Sequence, residues 1–394
     1  MSFPKWPNFD EDEILKVSKI LKSGKVNYWT GEEGKSFEKE FSVLTNSKYS
    51  IAISNGSLAL SCCYLALGLK AGDEVITTPR TFIATSSALV LLGYKPVFAD
   101  VDLDSGLITA ETIEPFITKK TKAISVVHLG GWPADMSSIC ELAKKYNLYV
   151  IEDCAQAHGA KIKIDNDYKS VGSFGDISAW SFCQDKIMST GGEGGMITTN
   201  KKKYWELVWS FKDHGKSFNK VLQKNIDGGF RWLHDSFGSN FRLTEMQSVI
   251  GRSQIKKLEN WNLIRNRNAK ILIEGLSNCS CIRIPKIPDN IIHAYYRFYC
   301  YLHLDSLSTD WDRKRIIHEI VNLGYPAFEG TCGEIYLENC FTNSGITPKK
   351  RLNNASALSS TSLCFLTHPS INKFQMHEYV NVIKNVLDAA LRKN

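Results

Sequence analysis

The chain has 394 residues, 43% of them hydrophobic and 23% charged, with a formal net charge of +7. That composition is ordinary for a globular enzyme in water, and the length is large for one core, so two packed domains are expected. No run is apolar and long enough to span a bilayer, and the basic runs at 201–203 and 349–351 lack the aromatic interleaving of a nucleic-acid module.

The N-terminal Met1-Ser-Phe-Pro-Lys-Trp-Pro7 has no apolar secretory core, so a cytoplasmic protein with no membrane partner is expected. The 11 cysteines are odd in number and follow no repeating spacing, and no Cys-x-x-Cys occurs. Reduced, mostly buried thiols are expected, with no metal centre. The modest positive charge favours an anionic ligand such as a nucleotide diphosphate.

In chain order, short apolar runs alternate with helical stretches. Residues 49–53 read as a strand and 57–69 as a helix. A strand at 74–78, a helix at 81–92 and strands at 95–99 and 123–128 follow. Then come a helix at 136–146 and strands at 148–151, 177–182 and 195–199. Strands alternating with helices imply a largely parallel sheet covered on both faces. Such sheets place their ligands at the carboxyl ends of strands. Ser54, Asp153 and the segment ahead of Lys186 each follow a strand, so three candidate ligand groups are expected on one edge. Beyond residue 241 the composition turns helical and charged. A helix over 243–268 leads to a smaller region with a strand at 295–304 and helices at 311–323 and 375–391. The expected division is a large α/β domain over 1–255, including an N-terminal arm, and a smaller α+β domain over 256–394.

Four segments carry candidate chemistry. In Ser54-Asn-Gly-Ser57, Gly56 lets backbone approach an anion, Ser57 offers a hydroxyl, and a helix start supplies free N–H groups; a simple helix cap is the alternative. Asp153 ends a buried strand, where a carboxylate pairs with a protonated ring nitrogen or else with an ordinary salt-bridge or cap partner. Glu152 is the weaker candidate, because neighbouring side chains of a strand point opposite ways. Gln156 is placed to bond a phenolic oxygen, or is a surface amide. Phe82 is a candidate to stack on a planar ring, against the default of a core phenylalanine. Lys186 lies between a strand and Gly191-Gly-Glu-Gly-Gly195, a cluster that suggests close backbone approach rather than a solvated lysine. A neutral lysine amine captures a carbonyl, and the same amine, once freed, moves protons. Amine, carboxylate and anion cradle together are what pyridoxal phosphate requires.

Taken together, these segments resemble the nucleotide-sugar aminotransferases, a group of fold-type I pyridoxal-phosphate enzymes. The resemblance runs from Asn27-Tyr-Trp-Thr-Gly31 through Asn55-Gly-Ser57, Thr81-Phe82 and Ile151-Glu-Asp-Cys-Ala-Gln156 to Ser181-Phe182, Lys186 and Gly195. Asp213-His-Gly215 and Gly238-Ser-Asn-Phe-Arg242 extend it. It implies that Lys186 binds the cofactor as a Schiff base, that Asp153 pairs with the pyridine nitrogen, that Gln156 contacts the ring oxygen and that Phe82 stacks on the ring. It also implies that Gly56, Ser57 and Ser181 hold the phosphate. Asn240 would reach the phosphate of a neighbouring subunit, so a homodimer with shared sites is implied. A branch of the group that removes a sugar 3-hydroxyl carries histidine in place of the lysine. Gly131-Trp-Pro133 and the stretch 330–336 depart from the usual pattern, which leaves the substrate open.

The expected reaction moves an amino group from an amino acid, with L-glutamate the expected donor, to a ketone of a nucleotide-linked sugar. Pyridoxamine 5'-phosphate is the carrier between the two halves, and an amino sugar for a surface polysaccharide is the product. Two rivals remain at this point. A dehydratase or aminodehydratase of the same fold would remove a sugar oxygen without retaining donor nitrogen. A non-catalytic regulatory protein on this fold would be expected to have lost Lys186 or Asp153.

Overall fold

The computed structural model describes residues 3–222 and 232–392. Two helices, α1 (Glu11–Ser23) and α2 (Glu33–Leu44), precede the first strand. Next come β1 (Tyr49–Ile53), α3 (Gly56–Ala66), β2 (Glu74–Thr77), α4 (Ala84–Leu91), β3 (Lys95–Phe98) and α5 (Ala110–Ile113). β4 (Thr121–Val127), α6 (Met136–Tyr146) and β5 (Tyr149–Asp153) follow. A hairpin of β6 (Lys161–Ile164) and β7 (Asp167–Ser170) leads to β8 (Ile177–Ser181), β9 (Gly195–Thr199), α7 (Lys202–Lys212) and α8 (Phe218–Leu222). Then come α9 (Glu245–Leu276), β10 (Ile282–Arg283), β11 (Ile291–Ile292), β12 (Phe298–Leu302) and α10 (Arg313–Asn322). The chain ends with α11 (Asn339–Asn343), α12 (Asn353–Thr361), β13 (Ser362–Phe365) and α13 (Lys373–Ala390).

Seven strands form the main sheet in the order β1-β9-β8-β5-β4-β2-β3. β9 runs against both of its neighbours, and the other pairings are parallel. The reversal has a local cause. A parallel return needs a long crossover, usually a helix. The glycine-rich segment 182–194 supplies none, so β9 comes straight back beside β8. Strands β1, β5 and β8 point the same way, and their carboxyl ends share one edge of the sheet. β8 and β9 are buried along their whole length, as strands covered on both faces must be.

Apolar clusters lie on the two faces of this sheet, and a third fills the C-terminal region around β12, β13 and α13. α9 serves two of them. Its first half contacts α1 and α2, while Ala269, Leu272 and Leu276 of its second half enter the C-terminal cluster beside α13. It starts from a capping box of Thr244 and Gln247 and crosses position 255 without interruption. Ile335, Tyr336, Phe341, Ala355 and Leu358 return to the core of the main sheet. All eleven cysteines are free, seven of them buried.

Candidate active site

The carboxyl ends of β1, β5 and β8 open into a cavity of about 860 Å³. Lys186, Asp153, Gln156, Phe82, Gly56, Ser57 and Ser181 all line it. Residues distant in sequence are thus gathered at one edge of the sheet, with Phe82 arriving from the segment after β2.

The anion cradle is the start of α3. Asn55 caps this helix, its side chain accepting from the Leu58 amide at 2.9 Å. The amides of Gly56 and Ser57 lie in the first turn, where a helix has no internal acceptors, and they face the positive end of its dipole. Gly56 is required by proximity: a Cβ there would lie 2.6 Å from Cβ and 3.2 Å from Cα of Ser181. Helix start and β8 end are therefore pressed together. Gly56→Ala is expected to lower stability by about 1–3 kcal/mol through overpacking. It should also weaken phosphate binding, read as a higher dissociation constant for the cofactor and a lower Tm.

Asp153 is buried and its two oxygens are placed by short bonds. Thr85 Oγ1 donates at 2.8 Å, with Thr81 Oγ1 3.0 Å behind it, and the Ala155 amide donates at 3.1 Å. Burial pushes the Asp153 carboxyl above its ordinary range, against these bonds and the charge of Lys186. A group in that state gains from a cationic partner in the cavity.

Glu152 points the other way, as strand alternation requires. It accepts from the amides of Gly172, Phe174 and Gly175 at 2.7, 2.9 and 2.7 Å and pairs with His128 Nε2 at 3.1 Å. His128 Nδ1 in turn accepts from the Ala134 amide at 3.0 Å, which leaves the proton on Nε2. Burial opposes the charge on Glu152, but His128 and the amides hold its carboxyl below the usual value. Glu152 and His128 form a structural knot beneath the site.

Gln156 spends its amide oxygen on the Gly130 N–H, at 2.7 Å, which turns its NH₂ group toward the cavity. The turn that makes this possible needs glycine. Gly131 has φ +93°, and a Cβ there would lie 2.9 Å from the Tyr295 nitrogen and 3.1 Å from the Gln156 carbonyl oxygen. Phe82 is 66% exposed at the cavity rim rather than in the core. It sits ahead of α4, which begins three residues later than the periodicity predicts, so Thr81 and Phe82 lie on the strand-to-helix link.

Lys186 has its Nζ 3.7 Å from Asp185 Oδ1 and 4.9 Å from the centre of the Tyr296 ring, with its side chain 15% exposed. Asp185 is further engaged by the Tyr296 hydroxyl and by Arg297 at 3.3 Å. Burial disfavours the Asp185 charge, yet Lys186, Tyr296 and Arg297 together hold its carboxyl below the ordinary value. His158 lies against Trp180 and Phe182, where burial first and then the charges of Lys186 and Arg265 push it down to about 3. It is a neutral packing residue. Sequence reasoning missed Asp185, Tyr296 and Arg297; the charge directly beside Lys186 was the available signal.

Asn240 is not among the residues lining the cavity. It is exposed, its Oδ1 accepting from the Arg242 amide at 3.4 Å. It nevertheless adjoins Phe241, whose carbonyl accepts from the Ser54 amide at 2.9 Å.

Comparison with known proteins gives concordant results. A family model described as the DegT/DnrJ/EryC1/StrS aminotransferase family matches residues 7–385. GDP-perosamine synthase of Escherichia coli O157:H7 is 37% identical over 271 residues, 68% of this chain and 70% of that protein. A UDP-N-acetyl-3-dehydro-alpha-D-glucosamine 3-aminotransferase of Acidithiobacillus ferrooxidans is 37% identical over 300 residues, 76% of each. The crystal structure of an aminotransferase from Psychrobacter cryohalolentis superposes with a TM-score of 0.95 at 48% identity, covering 98% of this chain and 99% of that one.

Proposed function

Since the chain belongs to the DegT/DnrJ/EryC1/StrS aminotransferase family, we propose that it is a pyridoxal-phosphate enzyme that aminates a ketone on a nucleotide-linked sugar. The observation that carries this reading is one cavity lined by the amine of Lys186, the buried carboxylate of Asp153 and the first turn of α3 at Gly56 and Ser57. The residues fit the cofactor chemically. Asp153 is a buried anion with no cation in bonding contact among the described residues, which suits a protonated ring nitrogen. Gly56 and Ser57 amides suit a phosphate, with the Ser181 hydroxyl beside them, and the exposed Phe82 ring suits a planar face.

When bound, the cofactor supplies an aldehyde for capture by amines and a ring that withdraws electrons from the reacting carbon. Lys186 would hold the cofactor through its amine, and its Nζ, once free, would be the group that moves the proton. Asp153 would pair with the ring nitrogen and favour its protonated form. Gln156 would donate through its free NH₂ group to the ring oxygen. Asp185, braced by Tyr296 and Arg297, holds the freed Lys186 amine near its working place.

L-Glutamate is the proposed donor. The proposed assembly is a homodimer in which Asn240, outside its own cavity, reaches the phosphate of the other subunit. Among the described residues no helix is long and apolar enough to cross a membrane, and a cytoplasmic location is proposed. Two of the relatives named above carry GDP- and UDP-linked sugars in their names, which supports a nucleotide-linked substrate here.

The test is a panel of keto-sugars linked to UDP, dTDP or GDP, each incubated with ¹⁵N-labelled L-glutamate. At least one is expected to yield an amino sugar carrying the label, with 2-oxoglutarate in equal amount. Loss of a sugar oxygen with no retained nitrogen across the panel would establish the dehydratase reading instead.

A further inference from the structure

The backbone carbonyl of Lys186 accepts a hydrogen bond from the indole Nε1 of Trp6 at 2.8 Å, across 180 positions of sequence. Trp6 is itself firmly held. Trp261 meets it edge-on with ring centres 5.0 Å apart, His368 stacks at 6.0 Å, and the Arg265 guanidinium lies 5.3 Å over the ring. Three residues earlier, Phe3 meets Tyr325 and Tyr379 edge-on at 5.9 and 5.1 Å, packed against the C-terminal cluster. Four residues later, Asp10 caps α1 and pairs with Lys257 of α9 at 2.6 Å. Residues 3–10 therefore form a strap, fixed at each end and bonded to the lysine in between.

The lysine segment is tied elsewhere mostly near its ends. The Phe182 amide donates to the Gly194 carbonyl at 2.8 Å, Ser189 N–H donates to Gln254 Oε1 at 2.7 Å, and Gln247 Nε2 donates to the Glu193 carbonyl at 2.8 Å. At Lys186 itself, the backbone is held by a turn bond to the Cys183 carbonyl at 3.1 Å and by Trp6. The direction of a lysine's Cα–Cβ bond follows its backbone. A displacement of 1 Å in a reacting group is enough to lower a rate by about a hundredfold.

We propose that Trp6 is a positioning residue for Lys186, and that the strap at residues 3–10 transmits the placement of the C-terminal region to the lysine backbone. Trp6→Phe keeps a ring for Trp261, His368 and Arg265 and removes the N–H donor. In the full-length protein, with and without cofactor, amide hydrogen exchange at residues 186–190 is expected to rise about three- to tenfold, the equivalent of one hydrogen bond. The dissociation constant for pyridoxal phosphate should rise and kcat fall by a similar factor, with KM for the keto-sugar unchanged.

The cofactor arm rests on the reading of Lys186 given above. The exchange arm on cofactor-free protein does not, so the two failures are distinguishable. Unchanged exchange at 186–190 would overturn the proposal, and so would a rise spread evenly over the chain, which marks a merely structural role. If Trp6→Phe fails to fold, Phe3→Leu replaces it. That variant loosens the far anchor with Trp6 intact, and the same local rise is expected; no rise at 186–190 overturns the strap.

Discussion

Lys186→Ala is expected to lower turnover of keto-sugar and L-glutamate by at least about 10⁴-fold and to abolish the borohydride-reducible adduct at position 186. On the proposed reading, the substitution removes two functions at once. Capture of the cofactor is lost because no other amine in the cavity has the geometry of Lys186. Proton transfer is lost with it, and that alone is worth about 10²–10⁴-fold. The fold should survive, since Asp185 keeps Tyr296 and Arg297 as partners after the lysine has gone. Tm is therefore expected to stay within a few degrees of the parent. Cofactor should still enter the cavity through Asp153 and the start of α3, but without the absorbance of the lysine adduct. Turnover within tenfold of the parent would remove Lys186 from the chemistry.

Asp153→Asn is expected to act in opposite directions on stability and on rate. Its carboxyl is raised above the ordinary value, chiefly by burial. A raised acid binds its proton more tightly folded than unfolded, so the folded state loses stability as pH climbs from the ordinary carboxylate value through the raised one. That loss persists at neutral pH in cofactor-free protein. Asparagine carries no charge and can still meet Thr85 and the Ala155 amide, so the cofactor-free variant should show a higher Tm at pH 7 and a smaller gain near pH 4. With cofactor and substrates, kcat should fall about 10²–10³-fold, the scale of removing one preorganised electrostatic partner. A variant with parental kcat would show that the carboxylate does not act on the ring. A Tm lower at pH 7 than the parent would show that hydrogen bonding, not desolvation, governs this position.

The elements most legible in the sequence are those whose signals are local. Helix α6 begins and ends where the pattern places it, because Asp135 caps one end and Asn147 adopts a left-handed conformation at the other. β1 and β9 also match, being short apolar runs between polar turns. α9 runs on to Leu276 rather than 268, since Ile271, Leu272 and Leu276 continue its apolar face into the second cluster. The strand-end groups Ser54, Asp153 and the segment ahead of Lys186 could be placed on one edge because parallel topology follows from alternating strands and helices. Tyr296 and Arg297 could not, since they reach Asp185 from more than a hundred positions away and only tertiary packing brings them there. Trp6 was invisible for the same reason. The division of labour between the amide oxygen and the NH₂ group of Gln156 depends on Gly130, a contact that no periodicity encodes.

The unbroken course of α9 constrains how this protein can be recombined with its relatives. At 1.5 Å per residue its 32 residues make a rod of about 48 Å, and each residue added or removed turns everything downstream by about 100°. A crossover inside the rod with a single-residue mismatch would therefore rotate Ala269 and Leu272 out of one hydrophobic seam while Leu258 stayed in the other. Grafts made after Leu276 escape this torsional penalty, and a hybrid library built at that junction should yield folded chimaeras far more often than one cut near residue 255.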